Sequence, residues 1–535
     1  MAVRADLDHG TIAQMVRNSA QRWPDAEAIV NGDVTLTYAD LAARVAEAAA
    51  AFAAAGIERG DRVAIWAPNI WEWVVAAAGL HSAGGVLVPL NTRFKGTEAA
   101  YVLEAGRARI LMTVQGFLDA DYVGMLESAG QPDTLERVVV LRGDVPTGCE
   151  SFEDFLAAGK AIGAAEVDRR IAALGADDVS DILFTSGTTG RPKGVVQTHG
   201  QTLRAYGSWS EVIGLRPGDR YLIVNPFFHA FGYKAGWVAS LLNGATILPH
   251  AVFDAASVLA RIPVDRVSVL PGPPALYQTI LAAPDLADHD LSSLRLAVTG
   301  AAAIPVELIH RMRRDLTFET IITGYGLTEA CGIATMCRYD DDPETIANTS
   351  GRAIPDVEVL VVDDSGVEVA PGEPGEVVVR GYNVMHEYFE DPAATAEAID
   401  ADGWLHTGDV GVMDPRGYLR ITDRTKDMFI VGGFNAYPAE IENLVLAADE
   451  RVAQVAVVGV PDERLGEVGV AFVVAKPGVE IDPAELTARC RESMANYKVP
   501  RRIEVVTELP LNATGKVQKF VLRDRLARTG EEGQR

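Results

Sequence analysis

The segment Thr185-Ser-Gly-Thr-Thr-Gly-Arg-Pro-Lys-Gly194 carries residue types that bind a polyphosphate. Its three glycines permit a tight loop with backbone N–H groups facing an anion, and its four hydroxyls and Lys193 add donors and charge. It departs from a Walker A loop, because Pro192 precedes the lysine and a glycine follows it. The alternative is that the segment forms only a flexible hairpin turn. The specificity of this ten-residue segment argues against that alternative.

A second segment, Thr323-Gly-Tyr-Gly-Leu-Thr-Glu329, places an aromatic ring, a hydroxyl and a carboxylate close together. Its two glycines suggest a dinucleotide loop, but the third glycine of that fingerprint is absent. Tyr325 is able to stack on a base, Thr328 to bind a phosphate and Glu329 to hold Mg²⁺, which favours a carboxylate plus phosphate oxygens. By itself, the segment leaves this nucleotide role and a structural turn open.

Two further motifs each end in a charged residue. Asp409 ends the glycine turn Gly403-Trp-Leu-His-Thr-Gly-Asp409, where a carboxylate either binds two ribose hydroxyls or caps the turn. Lys516 ends Leu509-Pro-Leu-Asn-Ala-Thr-Gly-Lys516, whose turn residues place the lysine at a loop tip. A lone loop lysine is usually a solvated surface charge.

In this order and spacing, the four motifs resemble those of the acyl-adenylate-forming (ANL) superfamily, which includes acyl-CoA ligases, peptide-synthetase adenylation domains and beetle luciferases. The resemblance runs from Leu36-Thr-Tyr-Ala-Asp-Leu41 to Lys516. It implies an α/β fold: a large N-terminal domain of parallel and mixed sheets covered by helices, residues 1–424, and a small mobile α+β lid domain, residues 427–535. The implied activity is an ATP-dependent acyl-CoA ligase that forms an acyl-adenylate, releases pyrophosphate, passes the acyl group to coenzyme A and releases AMP.

The resemblance also implies roles for individual residues. Glu329 is expected to bind Mg²⁺, Lys426 to be the hinge between the domains, and Gly432 and Gly433 to let the CoA arm pass. The residues expected to be catalytic are Lys516, Thr328, Glu329 and Lys193. Those expected to bind ATP or AMP are Thr185, Ser186, Gly187, Thr188, Thr189, Gly190, Gly300, Ala301, Ala302, Gly324, Tyr325, Gly326, Asp409 and Arg424.

The segment Asn225-Pro-Phe-Phe-His-Ala-Phe-Gly232 matches the family segment that lines the acyl pocket. Amino-acid-activating relatives typically place an aspartate here for the substrate amine, whereas this chain has His229 and Ala230, so an α-amino acid is not expected. His229 either gates the acyl channel or packs against the neighbouring phenylalanines. The other expected pocket residues are Tyr233, Trp237, Pro273, Pro274 and Tyr277.

Two strings, Phe231-Gly-Tyr-Lys-Ala-Gly236 and Val269-Leu-Pro-Gly-Pro-Pro274, resemble one subgroup of the family. These are actinobacterial ligases for the propanoate side chain of a ring-fused intermediate of steroid degradation. A medium-chain fatty acid is the alternative, because an aromatic-lined pocket fits either molecule. Lys234 is unusual, and either meets a ring ketone or reaches solvent. A non-catalytic nucleotide-binding protein is the alternative from another class.

Apolar strands that alternate with helical patterns predict parallel sheets covered by helices. The predicted strands are 62–66, 85–89, 108–113, 295–298, 452–460 and 468–474. The predicted helices are 70–81, 99–104 with Thr97 as its N-cap, one with Pro305 in its first turn, and 483–494. Shorter elements after about residue 424 indicate the separate small domain.

Composition restricts the protein class. The 535 residues, with 48% hydrophobic and 23% charged, are typical of a globular chain of two or three domains. The formal net charge of −26 argues against a nucleic-acid partner. An anionic substrate, such as the small-molecule carboxylic acid that the resemblance implies, would require basic residues concentrated at the site. The four cysteines fit no zinc or CxxC pattern and are expected to be free thiols. Without a segment that could span a bilayer, we expect a cytoplasmic protein with no integral membrane association. The oligomeric state stays open, with a homodimer as one option.

Overall fold

The computed structural model describes residues 4–186, 191–300, 304, 306–363, 365–424, 429–436, 438–476, 478–510, 517 and 519–532. The strands are β1 Glu27–Asn31, β2 Val34–Thr37, β3 Arg62–Trp66, β4 Val86–Pro89, β5 Ala108–Val114, β6 Arg137–Arg142, β7 Glu150–Ser151, β8 Val179–Ser186, β9 Pro192–Thr198, β10 Arg220–Ile223, β11 Thr246–Pro249, β12 Leu296–Gly300, β13 Thr320–Tyr325, β14 Thr335–Met336, β15 Arg352–Ala353, β16 Val357–Val362, β17 Pro374–Gly381, β18 Glu387–Tyr388, β19 Leu405–Met413, β20 Leu419–Arg424, β21 Phe429–Val431, β22 Phe434–Ala436, β23 Val452–Asp462, β24 Gly466–Ala475 and β25 Arg502–Val505.

The helices are α1 Ala5–Asp8, α2 Ile12–Arg22, α3 Tyr38–Ala54, α4 Trp71–Ala83, α5 Gly96–Ala105, α6 Tyr122–Ala129, α7 Phe152–Ala158, α8 Ala164–Ala172, α9 His199–Ile213, α10 Ala230–Gly232, α11 Ala239–Asn243, α12 Ala255–Asp265, α13 Pro274–Leu281, α14 Val306–Asp315, α15 Pro343–Asn348, α16 Pro392–Ala398, α17 Pro438–Ala448, α18 Pro483–Ser493 and α19 Lys519–Glu532. A π-helix, Tyr233–Val238, and a 3₁₀ helix, Thr328–Ala330, are important for the site described below.

The largest sheet in the described part of the chain has eight strands, in the order β18-β9-β8-β4-β3-β5-β6-β7. Strands β3 to β7 pair parallel in this sheet, and β18 joins β9 antiparallel at its edge. Two four-stranded sheets, β10-β11-β1-β2 and β12-β13-β14-β15, mix parallel and antiparallel pairs. A fourth sheet, β16-β17-β19-β20, is followed by the sheet of β21 to β25. The expected α/β class is therefore confirmed.

Strand β9 ends where Thr198 caps helix α9. The Thr198 hydroxyl accepts a hydrogen bond from the Gln201 N–H at 3.3 Å, and the Gln201 side chain accepts one from the Thr198 N–H at 3.0 Å. This reciprocal capping box satisfies two N–H groups that the first helical turn leaves without partners. It fixes the end of β9, where Gln197 is the residue before the capping Thr198.

The predicted elements are confirmed, except for one cap. The strands at 62–66, 85–89, 108–113, 295–298, 452–460 and 468–474 and the helices at 70–81 and 483–494 are all present, with ends shifted by at most two residues. The Thr97 cap is wrong, because α5 begins at Gly96. The Lys95 N–H donates instead to the Glu98 side chain at 2.9 Å. Pro305 lies outside the described residues.

The chain divides into two compact units. The first contains Met1–Thr92, Ala100–Phe184 and Gly194–Asp423, and the second contains Arg93–Ala99, Thr185–Lys193 and Arg424–Arg535. In the second unit, β21 to β25 and α17 and α18 enclose a core of their own. The domain limits 1–424 and 427–535 stay a prediction.

No helix in the described ranges is long and apolar enough to cross a membrane. All four cysteines are free thiols, as predicted, and three of them are buried: Cys331, Cys337 and Cys490.

Candidate active site

The parallel strands β12 and β13 end side by side and open the site. Gly300 pairs with Gly324, and a Cβ built at Gly300 would lie 2.7 Å from the Gly324 carbonyl oxygen. No side chain larger than hydrogen fits at this position, and glycine therefore allows the close approach of the two strand backbones. Gly300, Gly324 and Tyr325, predicted as nucleotide-binding residues, therefore meet at one sheet edge, where α/β sheets commonly bind ligands.

Tyr325 and Asp409 are joined although 84 residues separate them. The Tyr325 hydroxyl donates a hydrogen bond to Asp409 Oδ2 at 2.6 Å. Asp409 lies in β19, is 8% exposed, and its N–H donates to the Thr407 hydroxyl at 3.1 Å. The structure thus brings together the residues predicted to contact the adenine and the ribose.

Thr328 and Glu329 begin the 3₁₀ helix that follows β13. The Tyr388 hydroxyl donates to Glu329 Oε1 at 2.8 Å, and the Met385 N–H donates to the Glu329 carbonyl at 2.7 Å. Side chain and backbone of Glu329 are therefore both fixed by the segment that leads into β18.

The carbonyls around this short helix are held by two amide side chains. Gln197 Nε2 donates to the Thr328 carbonyl at 2.6 Å, and Asn383 Nδ2 donates to the Ile333 carbonyl at 2.8 Å. Strands β9 and β18 pair antiparallel, with Val195 opposite Tyr388. That pairing explains why Gln197 and Tyr388 reach the same short helix from two strands.

Glu329 fits the requirements of a single protein ligand for Mg²⁺. Within the described residues, it forms no ion pair with lysine or arginine, and no group of three or more metal-binding side chains occurs among them. Mg²⁺ in phosphate sites is commonly held by one or two carboxylates together with phosphate oxygens and water. The intermediate exposure of Glu329 leaves room for such partners.

The predicted phosphate loop is described only at its two ends. Thr185 is near the end of β8 and Lys193 is near the start of β9, and both belong to the second unit. Outside the described residues lie Gly187, Thr188, Thr189, Gly190, Ala301, Ala302, Lys426 and Lys516. The side chains of Ser186 and Arg424 are also outside the description.

His229 precedes the short helix α10 as its N-cap residue. Its side chain is exposed, yet the protein around it lowers its pKa below the ordinary value. Nδ1 accepts a hydrogen bond from the Phe231 N–H at 3.2 Å, so His229 caps the short helix α10. The gating role of His229 and its packing against the phenylalanines both stay predictions.

The aromatic residues predicted to line the acyl pocket are fully buried. Trp237 stacks on Tyr233 with ring centroids 5.1 Å apart, and the Tyr277 hydroxyl donates to the Leu270 carbonyl at 2.7 Å. All three side chains have no exposed surface, whereas Pro273 is half-buried. The three aromatic rings are thus inaccessible to solvent in this structure, and their pocket role stays a prediction.

Lys234 does not reach solvent, and that expectation from the sequence is wrong. Its side chain has 0% exposure, and Nζ lies 2.9 Å from Asp181 Oδ1, which is equally buried. Nζ also donates to the Gln197 side chain. A buried ammonium persists only when it is paired, and Asp181 supplies the counter-charge.

Gly432 and Gly433 form the turn between β21 and β22. Their φ angles are +57° and +88°, and Val431 pairs with Phe434 across the hairpin. Two-residue hairpin loops favour positive φ at both central positions, which glycine adopts without strain. The turn thus accounts for this glycine pair without a ligand, and the predicted CoA contact stays a prediction.

Sequence reasoning missed the residues that position Thr328 and Glu329. No recognised motif contains Gln197, Asn383 or Tyr388, and none of the three lies at a regular spacing from Glu329 in the sequence. Only the strand pairing brings them together. One available signal was Lys234, a lysine among apolar residues, for which only a ring ketone or solvent was considered from the sequence.

The sequence profile described as AMP-binding enzyme matches residues 16–389, and the one described as AMP-binding enzyme C-terminal domain matches residues 440–516. The chain therefore belongs to the AMP-binding enzyme family, as the motifs indicated. It is an AMP-forming acid–CoA ligase, with ATP, CoA and a small-molecule acid as substrates.

Two relatives are each 50% identical to the chain over 518 residues. Both are named 3-[(3aS,4S,7aS)-7a-methyl-1,5-dioxo-octahydro-1H-inden-4-yl]propanoyl:CoA ligase. The protein from Rhodococcus jostii (strain RHA1) matches over 96% of this chain and 98% of its own length, and that from Mycobacterium tuberculosis (strain ATCC 25618 / H37Rv) over 97% and 99%. The solved structure of a Mycobacterium tuberculosis fatty acyl CoA synthetase is 33% identical, with a TM-score of 0.71, covering 97% of this chain and 99% of that one.

Proposed function

We propose that the acid is a propanoate carried on a fused bicyclic diketone, the acyl group named for the two ligases above. The main supporting observation is that each of these two relatives is 50% identical to this chain over nearly the full length of both sequences. The pocket strings Phe231–Gly236 and Val269–Pro274 independently resemble the same subgroup. His229 at the position of the amine-binding aspartate agrees with a substrate that has no α-amino group.

In the proposed first step, a carboxylate oxygen of the acid attacks the α-phosphorus of ATP, and pyrophosphate leaves. Such a step requires in-line positioning and neutralisation of negative charge more than covalent help from the protein. Tyr325 and Asp409 are assigned to the adenosine, Thr328 to the α-phosphate, and Lys193 to the departing phosphates. Lys516 is assigned to the reacting carboxylate.

Glu329 is the proposed ligand of Mg²⁺, which would supply positive charge to the phosphate oxygens when bound. Tyr388 holds one carboxylate oxygen of Glu329, at 2.8 Å. This hydrogen bond to a charged group restricts the carboxylate to one orientation before ATP arrives. In the second step, the CoA sulfur attacks the acyl carbonyl and AMP leaves.

A medium-chain fatty acid is the second candidate. It is favoured by a relative from Danio rerio, 34% identical and covering 97% of this chain, that is named medium-chain acyl-CoA ligase. The lower identity ranks this substrate below the bicyclic propanoate. Such an acid lacks the ring ketones, so a pocket built for those ketones would discriminate against it.

The deciding experiment measures thioester formation with ATP, CoA and a panel of acids. The panel contains the bicyclic propanoate, the same acid with its ketones reduced, octanoate and benzoate. We expect kcat/KM for the diketone acid to exceed that for octanoate by at least about tenfold, the discrimination that pocket contacts provide. Equal or higher kcat/KM for octanoate overturns the proposal in favour of the fatty acid.

We also propose that the ligase works in the cytoplasm, where ATP and CoA are supplied, and that it assembles as a homodimer. The oligomeric state is measured by light scattering on the purified protein. A mass of one chain across the working concentration range rejects the dimer.

A further inference from the structure

We propose that the buried Lys234 is a positioning residue for adenylation, which acts through Gln197 on the Thr328–Glu329 turn. Lys234 lies in the π-helix, Gln197 is the penultimate residue of β9, and Thr328 begins the 3₁₀ helix, so three separate elements meet along one line of contacts. The proposal rests on the role given above to Thr328 and Glu329, and it adds a residue that the substrates do not contact.

The chemistry of the three groups gives the chain of contacts a direction. The Lys234 ammonium has only donors and the Thr328 carbonyl has only acceptors. The Gln197 amide between them therefore turns its oxygen to Lys234 and its Nε2 to Thr328, where the bond is 2.6 Å long. Without the ammonium, only the Thr328 carbonyl would hold the amide in that orientation.

The positive charge of Lys234 is itself held in place. Asp181 Oδ1 lies 2.9 Å from Nζ, and Asp181 Oδ2 accepts a hydrogen bond from the Ser180 hydroxyl at 2.6 Å. The neighbouring His81 and His199 are fully buried, and burial lowers the pKa of both, that of His199 to about 4. These histidines are therefore neutral at neutral pH and do not compete for Asp181.

The position of the Lys234–Asp181 pair indicates a role beyond stabilising the fold. A buried ion pair usually adds little to stability compared with apolar packing of the same volume. Here Lys234 Nζ also contacts the Gln197 side chain, which leads to the Thr328 carbonyl beside Glu329, and Cys331 Sγ of the same segment lies 3.8 Å from Nζ. The pair thus fixes the turn at the Thr328 carbonyl, whereas Tyr388 holds the Glu329 side chain.

The main test uses Gln197→Met, which leaves the Lys234–Asp181 pair intact and removes both amide contacts. We expect kcat for ATP–pyrophosphate exchange to fall about tenfold or more, since a hydrogen bond from a charge-oriented donor is lost. KM for the acid and the transfer of a supplied acyl-adenylate to CoA should change less than about threefold. Gln197→Glu should behave like Gln197→Met, because a carboxylate still accepts from Lys234 but has no N–H for Thr328.

A double-mutant cycle tests whether Lys234 acts through Gln197. If it does, Lys234→Met combined with Gln197→Met is no slower in adenylation than Gln197→Met alone. Multiplied losses in the double variant overturn the proposal. If Lys234→Met does not fold, the two Gln197 variants still decide, since normal adenylation in both overturns it.

Ser180→Ala is the matched control. It removes the hydroxyl that contacts Asp181 Oδ2 at 2.6 Å and the Gln197 main-chain carbonyl at 3.2 Å, but it leaves both side-chain contacts of Gln197 in place. Adenylation should stay within about twofold of wild type. Equal losses in Ser180→Ala and Gln197→Met, or losses that follow the melting temperature, would show a merely structural role. Failure of the proposed function is distinguishable, since it appears in the wild type as no exchange with any acid of the panel.

Discussion

Tyr325 and Tyr388 each place a phenolic hydroxyl on one carboxylate of the site. Tyr325 donates to Asp409 at 2.6 Å and Tyr388 to Glu329 at 2.8 Å. The two bonds are similar in length, but the carboxylates are assigned to different partners, the ribose and Mg²⁺. Removing each hydroxyl separately therefore distinguishes the two assignments.

Tyr388→Phe should slow adenylation about tenfold, because a hydrogen bond to a charged group contributes about 1.5 kcal/mol or more. The Mg²⁺ concentration required for half-maximal exchange should rise as well. Tyr382→Phe is the control, since its hydroxyl donates to Ser208 at 3.1 Å and not to Glu329. An unchanged Mg²⁺ dependence in Tyr388→Phe would mean that Glu329 is not the metal ligand.

Tyr325→Phe keeps the aromatic ring and removes only the hydroxyl that binds Asp409. We expect KM for ATP to rise several-fold, because the carboxylate loses the bond that orients it, while the Mg²⁺ dependence stays as in wild type. Initial rates at varied ATP and at varied Mg²⁺ separate the two effects. A shift in the Mg²⁺ dependence with no change in KM for ATP contradicts the assignment.

At the scale of elements, short strands and turns decide where the site residues lie. The pairing of β9 with β18 brings Gln197 and Tyr388 to the same 3₁₀ helix. The hairpin of β21 and β22 shows the opposite case. There a motif that suggested ligand binding is explained by the turn it forms, through two positive φ angles.

Gly432 allows the turn and the CoA explanations to be tested separately. Gly432→Ala should lower stability by about 1 kcal/mol, whereas Gly432→Asn should restore most of it, because asparagine tolerates positive φ. The added side chain meets only the flexible Leu465, at 3.3 Å. Thermal unfolding and KM for CoA are measured on both variants. If Gly432→Asn is stable but raises KM for CoA more than tenfold, the absence of a side chain at this position is required for CoA to pass. The hairpin turn alone would then not explain why the residue is glycine.

At the scale of the whole molecule, each compact unit contains a buried charge cluster of its own. The Lys234–Asp181 pair lies in the first unit. In the second, Lys498 Nζ donates to Glu440 Oε1 at 2.7 Å and to Glu98 Oε1 at 2.6 Å, and its side chain is 2% exposed. Each unit thus contains a buried lysine that is paired with carboxylates.

Lys498→Met should destabilise the second unit by about 3–5 kcal/mol, because it leaves two buried carboxylates without their cation. Amide hydrogen exchange should accelerate in β23 and β24, with β12 and β13 of the first unit as the internal reference. Arg502→Met, which removes an ion pair with Glu504 from an arginine that is 57% exposed, should cost less than about 1 kcal/mol. Equal effects of the two substitutions would show that the Lys498 cluster is not the stabilising contact.

The sequence by itself determined the family, the activity and most of the elements. The phosphate loop, the Tyr325–Glu329 segment and the alternation of strands and helices are local patterns, and local backbone preferences and spacing suffice to identify them. The tertiary structure alone decided the partners: Gln197 and Tyr388 on the Thr328–Glu329 turn, Asp181 on Lys234, and Tyr325 on Asp409. These partners lie on segments that are distant in the sequence, and strand register and strand order bring them together. Neither the register nor the order is encoded in the spacing within a single segment.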